Sequence, residues 1–413
     1  MRSWRYVWIV PIVVLALDLY VFQAIKTISQ GASPRIRATI HTGYWALSIL
    51  AVLIICFFPY VYRRFAWMQG YFFFILVGLY LAKVLVASFL LLDDVRRVIQ
   101  WIAGRLLAAS GAAPAAAADG VSRSVFMSWL GLGLGAGLYT SLLHGFSNKY
   151  RYRVRRVQLA FDTLPASFKG LKIAQLSDIH SGSLTNPAAV QRGIDMVMAE
   201  KPDLILFTGD LVNDIALEVG EYQAIFGCLD APMGVYSTLG NHDYGDYAWW
   251  ENAEAKKANL DHLMRIQEEM GWRLLMNEHV VLERGGEQIA LLGVENWSAK
   301  SRFPKHGRLD EAYAGAEKYP FKILMSHDPS HWDAQVRKEY PDIDLTLSGH
   351  THGMQFGLEL PGFKWSPVQY VYKEWAGLYE EGNQKLYVNR GFGFIGYPGR
   401  VGIMPEITMI ELA

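Results

Sequence analysis

Cysteine is almost missing from this chain of 413 residues, which holds only Cys56 and Cys228. One lies in an apolar run and the other in an expected helix. The pair excludes a disulfide framework and a thiolate-based zinc site, and it leaves the redox compartment open. An excess of charge of either sign is missing as well. Lysine plus arginine and aspartate plus glutamate each number 39, so formal net charge is zero and nothing global points to nucleic acid. No internal repeat is present. Low complexity is confined to "AASGAAPAAAADG" at 108–120, which reads as a spacer loop.

Apolar sequence is what the chain has in quantity, and it is unevenly spread. The length exceeds what one core usually holds, so at least two units are expected. The first third contains four runs of membrane-spanning length, which takes roughly 20 apolar residues. They extend from about Trp4 to Ile25, Tyr44 to Val61, Met68 to Leu92 and Val125 to Gly145. The first is too long for a signal peptide, lacks a small-residue cleavage site and is followed by three more, so it is expected to be retained. Between the third and fourth, "VRRVIQWIAGRLL" reads as an amphipathic helix at the interface. The expected organisation is a membrane domain over 1–146, a basic juxtamembrane linker over 147–156 and a water-soluble domain over 157–413.

Four spans put both chain ends on one side. Arg2, Arg5, Arg63, Arg64 and the run Lys149, Arg151, Arg153, Arg155 and Arg156 share a face, slightly outnumbering Lys26, Arg35, Arg37, Arg96, Arg97, Arg105 and Arg123 on the other. The basic run abuts a span, where the positive-inside rule is strongest, so the C-terminal domain is expected in the cytoplasm, beneath a cell inner membrane. Asp18 and Lys83 lie inside the first and third spans, each roughly 21 Å from the start of its helix at about 1.5 Å per residue. A lone charge at that depth is costly, so the two are expected to pair, as a structural ion pair rather than a transport element.

From Val157 onward short β-type runs alternate with helical stretches, the pattern of a layered α/β domain. Expected strands are "LKIAQLS", "DLILFT", "GVYSTL", "HVVLE", "QIALLGV", "FKILMS", "DLTLS", "KLYVN" and "EITMIEL". Expected helices are Pro187 to Glu200, Ile215 to Leu229 and Trp250 to Met270. The strand ends carry the chemistry. "QLSDIH" ends in Asp178 and His180, and "ILFTGD" in Gly209 and Asp210. "YSTLGNHD" ends in Asn241, His242 and Asp243, "ILMSHDP" carries His327, and "LTLSGHTHG" ends in His350 and His352. Each alone has a bland reading: a surface Asp, a core His or Gly-Asp turn chemistry. Five in order, each after an apolar run, do not. Carboxylates and imidazoles suit Mn, Fe, Zn or Mg, and this set is too large for one tetrahedral site. Two ions bridged by a carboxylate use it fully.

This series resembles the calcineurin-like metallophosphoesterases, and more closely their bacterial membrane-associated branch. The ending "LYVNRGFGFIGYPGRVGIMPEITMIEL" resembles that branch too, and the resemblance covers about residues 157 to 413. It implies a four-layer αββα sandwich, here preceded by an all-α bundle of four transmembrane helices. It also implies that Asp178, His180 and His352 hold a first metal, Asp210 bridges, and Asn241, His327 and His350 hold a second, with Mn favoured. By the same resemblance His242 stands beside the substrate phosphate as proton donor or charge stabiliser, and Asp243 orients its ring. One position departs from the branch: its Gly-His-Thr-His-Gly-Gly-Gln reads with Met354 for the second of the paired glycines. No ligand is lost, but substrate shape is affected.

Two stretches read as substrate-binding. "YGDYAWWENAEAKK" carries Tyr244, Tyr247, Trp249 and Trp250, and "ENWSAKSRFPKHGR" carries Trp297, Lys300, Arg302, Lys305, His306 and Arg308; aromatics beside basic groups suit a lipid headgroup, against the bland reading of a packed helix face and a solvated loop. Arg390 or Arg400 could contact substrate phosphate, or make structural hydrogen bonds. With a membrane anchor, a lipid-linked phosphodiester or pyrophosphate is the expected substrate, either a sugar nucleotide such as UDP-diacylglucosamine or a phospholipid headgroup; no nucleic-acid partner is expected. The alternatives are a membrane sensor whose phosphoesterase domain binds without turnover, an enzyme for a soluble nucleotide, and a transporter with an attached enzyme. A sensor would lack a ligand, and none is missing; two intramembrane charges offer a transporter little polar pathway.

Overall fold

A computed structural model describes residues 9–57, 69–109 and 122–413. Residues 110–120 of the expected spacer loop at 108–120 lie outside the described residues, as do the start of the first span, the end of the second, Met68 of the third, and Arg2, Arg5, Arg63 and Arg64; the first two loop residues close α3 instead. The chain divides into two compact units, Met1–His144 and Gly145–Ala413.

In the first unit α1 (Ile9–Ser29), α2 (Pro34–Cys56), α3 (Gln69–Ala109) and α4 (Arg123–Asn148, which continues past the unit boundary) are all long and apolar enough to cross a membrane. The expected interfacial helix is not separate, because "VRRVIQWIAGRLL" continues α3 without a break. The buried charges meet: Lys83 Nζ donates to Asp18 Oδ1 and, at 3.1 Å, to Ser48 Oγ. Tyr80 and Tyr44 donate to the Asp18 carboxylate and carbonyl at 3.3 and 2.8 Å. Gly135 lets α4 approach α3 closely, since a Cβ there would lie 2.7 Å from Val86 Cγ2.

The second unit contains fourteen strands. The first seven are β1 (Arg153–Leu159), β2 (Lys172–Leu176), β3 (Leu204–Phe207), β4 (Val235–Ser237), β5 (Arg273–Leu274), β6 (Glu278–Arg284) and β7 (Glu287–Gly293). Then come β8 (Lys322–Met325), β9 (Leu345–Ser348), β10 (Leu358–Leu360), β11 (Phe363–Trp365), β12 (Gly377–Glu381), β13 (Gln384–Val388) and β14 (Glu406–Leu412). Two six-stranded sheets run in the orders β1-β14-β2-β3-β4-β5 and β12-β13-β9-β8-β7-β6, and β10 and β11 form a separate hairpin. Neighbours β2, β3 and β4 are parallel, as are β7, β8 and β9.

The two-residue period of a strand builds the layers. Leu204 and Leu206 of β3 face Ile323, Met325, Leu345 and Leu347 of the other sheet in one core. Ile205 and Phe207 face outward, against α5 (Pro187–Ala199) and α7 (Ala253–Glu269). Leu324 of β8 and Leu292 of β7 pack on the opposite outside, under α8 (Leu309–Tyr313). The order is helix, sheet, sheet, helix, the αββα sandwich.

All nine expected strands form; β1, β5 and β10 to β12 are additions. The helix expected over Ile215 to Leu229 is broken into a 3₁₀ turn, Ala216–Glu218, and the short α6, Tyr222–Phe226, where Gly220 takes φ +41°. The expected basic linker is also corrected. Its residues 153–156 open β1, which pairs in parallel with β14, and Tyr152 stacks on Phe392 with ring centroids 4.4 Å apart. Arg155 pairs with Glu359 and Glu406, and Arg156 with Glu200, so these charges belong to the folded surface.

Candidate metal centre

Strands β2, β3, β4, β8 and β9 all end in the same place, and their first loop residues abandon strand geometry. Asp178, His180, Asp210, His350 and His352 have φ of +53°, +51°, +61°, +70° and +51°. Left-handed backbone is unfavourable for residues with a Cβ, by about 1–2 kcal/mol each, and concentrates where a site demands it. The turns leave little room: a Cβ on Gly240 would overlap Asp210 Oδ1.

Two groups of ligand atoms result, Asp178, His180 and His352, and Asp210, His327 and His350; within each, the atoms lie within 4.8 Å of one another. His352 Nε2 is 3.2 Å from Asp178 Oδ1 and 3.0 Å from His180 Nε2. Asp210 Oδ2 lies 3.1 Å from His327 Nε2 and 3.6 Å from His180 Nε2, and so stands between the groups. Asn241 Oδ1 and His327 Nε2 lie 2.8 and 3.3 Å from His350 Nδ1.

The donor set fits divalent ions. His180 Nδ1 donates to the Val212 carbonyl at 3.2 Å and His327 Nδ1 to that of Thr208 at 2.7 Å, which fixes the tautomer and leaves each Nε2 a lone pair. A lone pair cannot meet a carboxylate oxygen, so His327 Nε2 against Asp210 Oδ2 at 3.1 Å needs a cation or a proton between them. His350 is held from its other nitrogen: Nε2 meets Tyr372 OH at 2.8 Å, and Tyr372 OH reaches Asp328 Oδ2 at 3.3 Å. Burial alone would raise the Asp178 and Asp210 carboxyls. The imidazoles of His352 beside Asp178 and of His327 beside Asp210 outweigh it and hold both well below the usual range.

His242 Nδ1 donates to the Asn213 carbonyl at 2.7 Å, so the ring is oriented by Asn213 and not by Asp243. The reading of Asp243 as the orienting group is thereby corrected. Its carboxylate accepts from the backbone N–H of Asp210, Leu211, Val212 and Gly240 at 2.9, 2.8, 3.3 and 2.8 Å, tying the Asp210 turn to the Gly240 turn. A strand pattern in the sequence cannot distinguish these roles, because both need an acid one residue after His242.

Over this centre opens a cavity of about 650 Å³, lined by His180, Asp210, Asn241, His242, His350 and His352 on one side. Arg302, Phe303, Tyr247, Met354, Val368, Val371 and Tyr372 form much of the rest. Arg302 is therefore where the sequence put it. Trp249 is not among the lining residues and is 86% exposed. Arg390 is buried in ion pairs with Glu359 and Glu406 at 2.6 Å. Arg400 is fully buried, donating to the carbonyls of Arg390, Gly391 and Gly393, with Nη2 3.4 Å from His352 Nδ1. Neither arginine reaches the cavity, and both are corrected to structural groups. Trp297 of the second aromatic stretch stacks on buried His331, the bland reading. Tyr247 of the first aromatic stretch does line the cavity, and its hydroxyl accepts from Asn241 Nδ2 at 2.9 Å; the sequence reading missed Tyr372 and Asn213. No motif marks them; loops return them to the strand ends.

Residues 2–149 match the family described as probable calcineurin-like phosphoesterase, transmembrane domain, and residues 171–354 match calcineurin-like phosphoesterase. A zebrafish (Danio rerio) transmembrane protein with metallophosphoesterase domain is 31% identical over 75% of this chain and 67% of its own length. The uncharacterised metallophosphoesterase YkuE of Bacillus subtilis is 32% identical over 60% of this chain and 81% of its own. LpxG of Chlamydia trachomatis, a UDP-2,3-diacylglucosamine pyrophosphatase, is 27% identical over 58% and 83%. With its ligand-bearing strand ends gathered in an αββα sandwich behind four membrane-length helices, the chain belongs to the calcineurin-like metallophosphoesterases, in a form that carries its own transmembrane domain.

Proposed function

We propose that this protein is a membrane-anchored phosphohydrolase that cleaves a lipid-linked phosphodiester or pyrophosphate with two divalent ions. The observation that carries the reading is the single cavity in which Asp210 stands between two ligand groups while one wall is apolar. In this reading Asp178, His180 and His352 hold one ion, Asn241, His327 and His350 the other, and Asp210 bridges. The family resemblance favours Mn, one of the several divalent metals that nitrogen and oxygen donors accept. Such ions, when bound, activate water and neutralise charge that develops on the phosphoryl group.

The chain's own side chains do the rest. His242, fixed through Nδ1 on Asn213, has Nε2 to hold or give a proton at the leaving oxygen. Arg302 supplies a cation at the cavity wall for a second phosphate or an acidic headgroup. Met354, Val368 and Val371 give acyl chains an apolar wall, and Phe303 and Tyr372 narrow the entrance against His350. A diacylated sugar nucleotide, the kind of substrate that LpxG is named for, fits both walls. Cytoplasmic placement under a cell inner membrane is part of the proposal and rests on the exposed Arg151 and Arg153 beside the last span. The sensor alternative is disfavoured because every ligand of the two groups is present.

The test is phosphorus NMR of the purified full chain in detergent with Mn²⁺, against a total lipid extract supplemented with UDP-diacylglucosamine, and with Asn241→Ala as the blank. A phosphorus signal that splits only with the intact protein names the substrate and the bond. Hydrolysis of an aryl phosphodiester alone removes the lipid assignment and keeps the enzyme. Silence on both favours the sensor.

A further inference from the structure

The hairpin β10–β11 is amphipathic in the wrong sense for a soluble surface. Its register pairs Leu358 with Trp365 and Leu360 with Phe363 on one face, and Glu359 with Lys364 on the other. The polar face is the one bonded to the protein, Glu359 half-buried and Lys364 reaching in from an exposed position. Glu359 accepts from Arg390 Nε and Nη2 at 3.1 and 2.6 Å and pairs with Arg155. Lys364 Nζ donates to the Ala376 carbonyl and Tyr379 hydroxyl at 2.5 and 3.1 Å. Three of the four apolar residues are left to solvent, Leu358, Leu360 and Phe363 being 45, 56 and 55% exposed, while Trp365 is half-buried against Phe356. Ion pairs thus hold outward a face that the hydrophobic effect would otherwise turn in.

Two features say what covers it. Beside the hairpin runs a groove of about 810 Å³ lined by Arg153, Arg155, Phe363 and Lys364. Arg153 is exposed and has no ion-pair partner among the described residues. Apolar and aromatic side chains next to a free cation match the headgroup zone of an anionic bilayer rather than a second protein. Trp365 Nε1 reaches the hydroxyl of exposed Tyr370 at 3.5 Å, and the next residue, exposed Val371, lines the cavity with Met354. We propose that this hairpin docks the catalytic unit on the membrane surface, its apolar face in the headgroup region and Arg153 on lipid phosphate. The inference concerns how the unit meets the bilayer and holds whether or not the substrate is a lipid.

The test uses the full chain with Cys56→Ser and Cys228→Ser, reconstituted in lipid nanodiscs. Bimane is attached at Phe363→Cys, or at Glu283→Cys on β6 as a control, and the quencher is a headgroup nitroxide lipid. Stronger quenching at 363 than at 283 in discs rich in phosphatidylglycerol is expected. Arg153→Gln should lower the docked-to-free ratio about fivefold there, the effect of one basic charge at an anionic surface, and leave zwitterionic discs unchanged. Equal quenching at the two sites overturns docking, and no effect of Arg153→Gln overturns the phosphate contact. A disulfide between two chains when unlabelled Phe363→Cys is treated with an added oxidant, together with a bimane at 363 shielded from the lipid quencher in a separate sample, overturns membrane docking and makes the face a copy-to-copy interface. No substrate enters the measurement, so its failure is separate from failure of the proposed reaction.

Discussion

Asp243→Asn separates two accounts of the residue that follows His242. The carboxylate is fully buried and accepts four backbone N–H groups, two on each oxygen. Asparagine keeps one oxygen and turns the other into a donor, so two buried N–H groups lose their acceptor and face an NH₂. At about 1–3 kcal/mol for each unsatisfied buried donor, the cost is roughly 2–6 kcal/mol. For a unit of this size that corresponds to a fall in Tm on the order of 10 °C. Because the freed N–H groups belong to the turns that carry Asp210 and Asn241, metal content should fall with stability. The assay pairs thermal unfolding followed by tryptophan fluorescence with metal analysis of the same full-length preparation. An Asp243→Asn protein that unfolds like the parent, keeps its metal and loses turnover would refute the clamp and restore an orienting role toward His242.

His242→Ala is expected to keep the metal content of the parent and lose about 10²–10⁴-fold in turnover of an aryl phosphodiester, the usual range for a proton-transfer group; loss of metal would contradict the proposed division of labour. His350→Ala and Asp210→Asn should each lower bound metal in elemental analysis, and Tyr372→Phe should weaken metal affinity without emptying the site, since it removes only the hydroxyl on His350 Nε2. Lys83→Met strands the buried Asp18 carboxylate and should destabilise the first unit by about 3–5 kcal/mol in a detergent unfolding assay, with most of that recovered by adding Asp18→Asn. Met354 has φ +55° and is 57% exposed at the cavity mouth. Met354→Gly should therefore stabilise by about 1 kcal/mol in thermal unfolding and change KM more than kcat for bulky substrates.

The lesson in legibility lies with particular elements. Strands β2, β3, β8 and β9 were readable because each is a short apolar run that ends abruptly in polar residues, and local pattern suffices for that. The edge strand β1 was not, because "RVRRVQL" carries three arginines in its first four positions; it forms because β14 offers a full parallel ladder and because Glu359, Glu406 and Glu200 neutralise Arg155 and Arg156. The hairpin β10–β11 was missed for a related reason: its alternation is genuine, but three-residue strands are too short to stand out. For Arg390 and Arg400 the sequence left phosphate contact and structural bonding open, since an arginine near a glycine-rich turn looks alike whether it faces a phosphate, buried glutamates or a set of carbonyls.

By itself the sequence determined the class of chemistry: which donors exist, in what order, after which strands, and behind four apolar runs. Those depend on residue type and spacing along the chain. Only the tertiary structure decided who touches whom across it. It gave Asn213 rather than Asp243 to the His242 ring, Tyr372 to His350, Tyr247 to Asn241, and an outward apolar face to a hairpin whose polar face is pinned by distant arginines. Such pairings join residues as few as six and as many as 204 positions apart, and their partners are set by how the two sheets stack rather than by any local pattern.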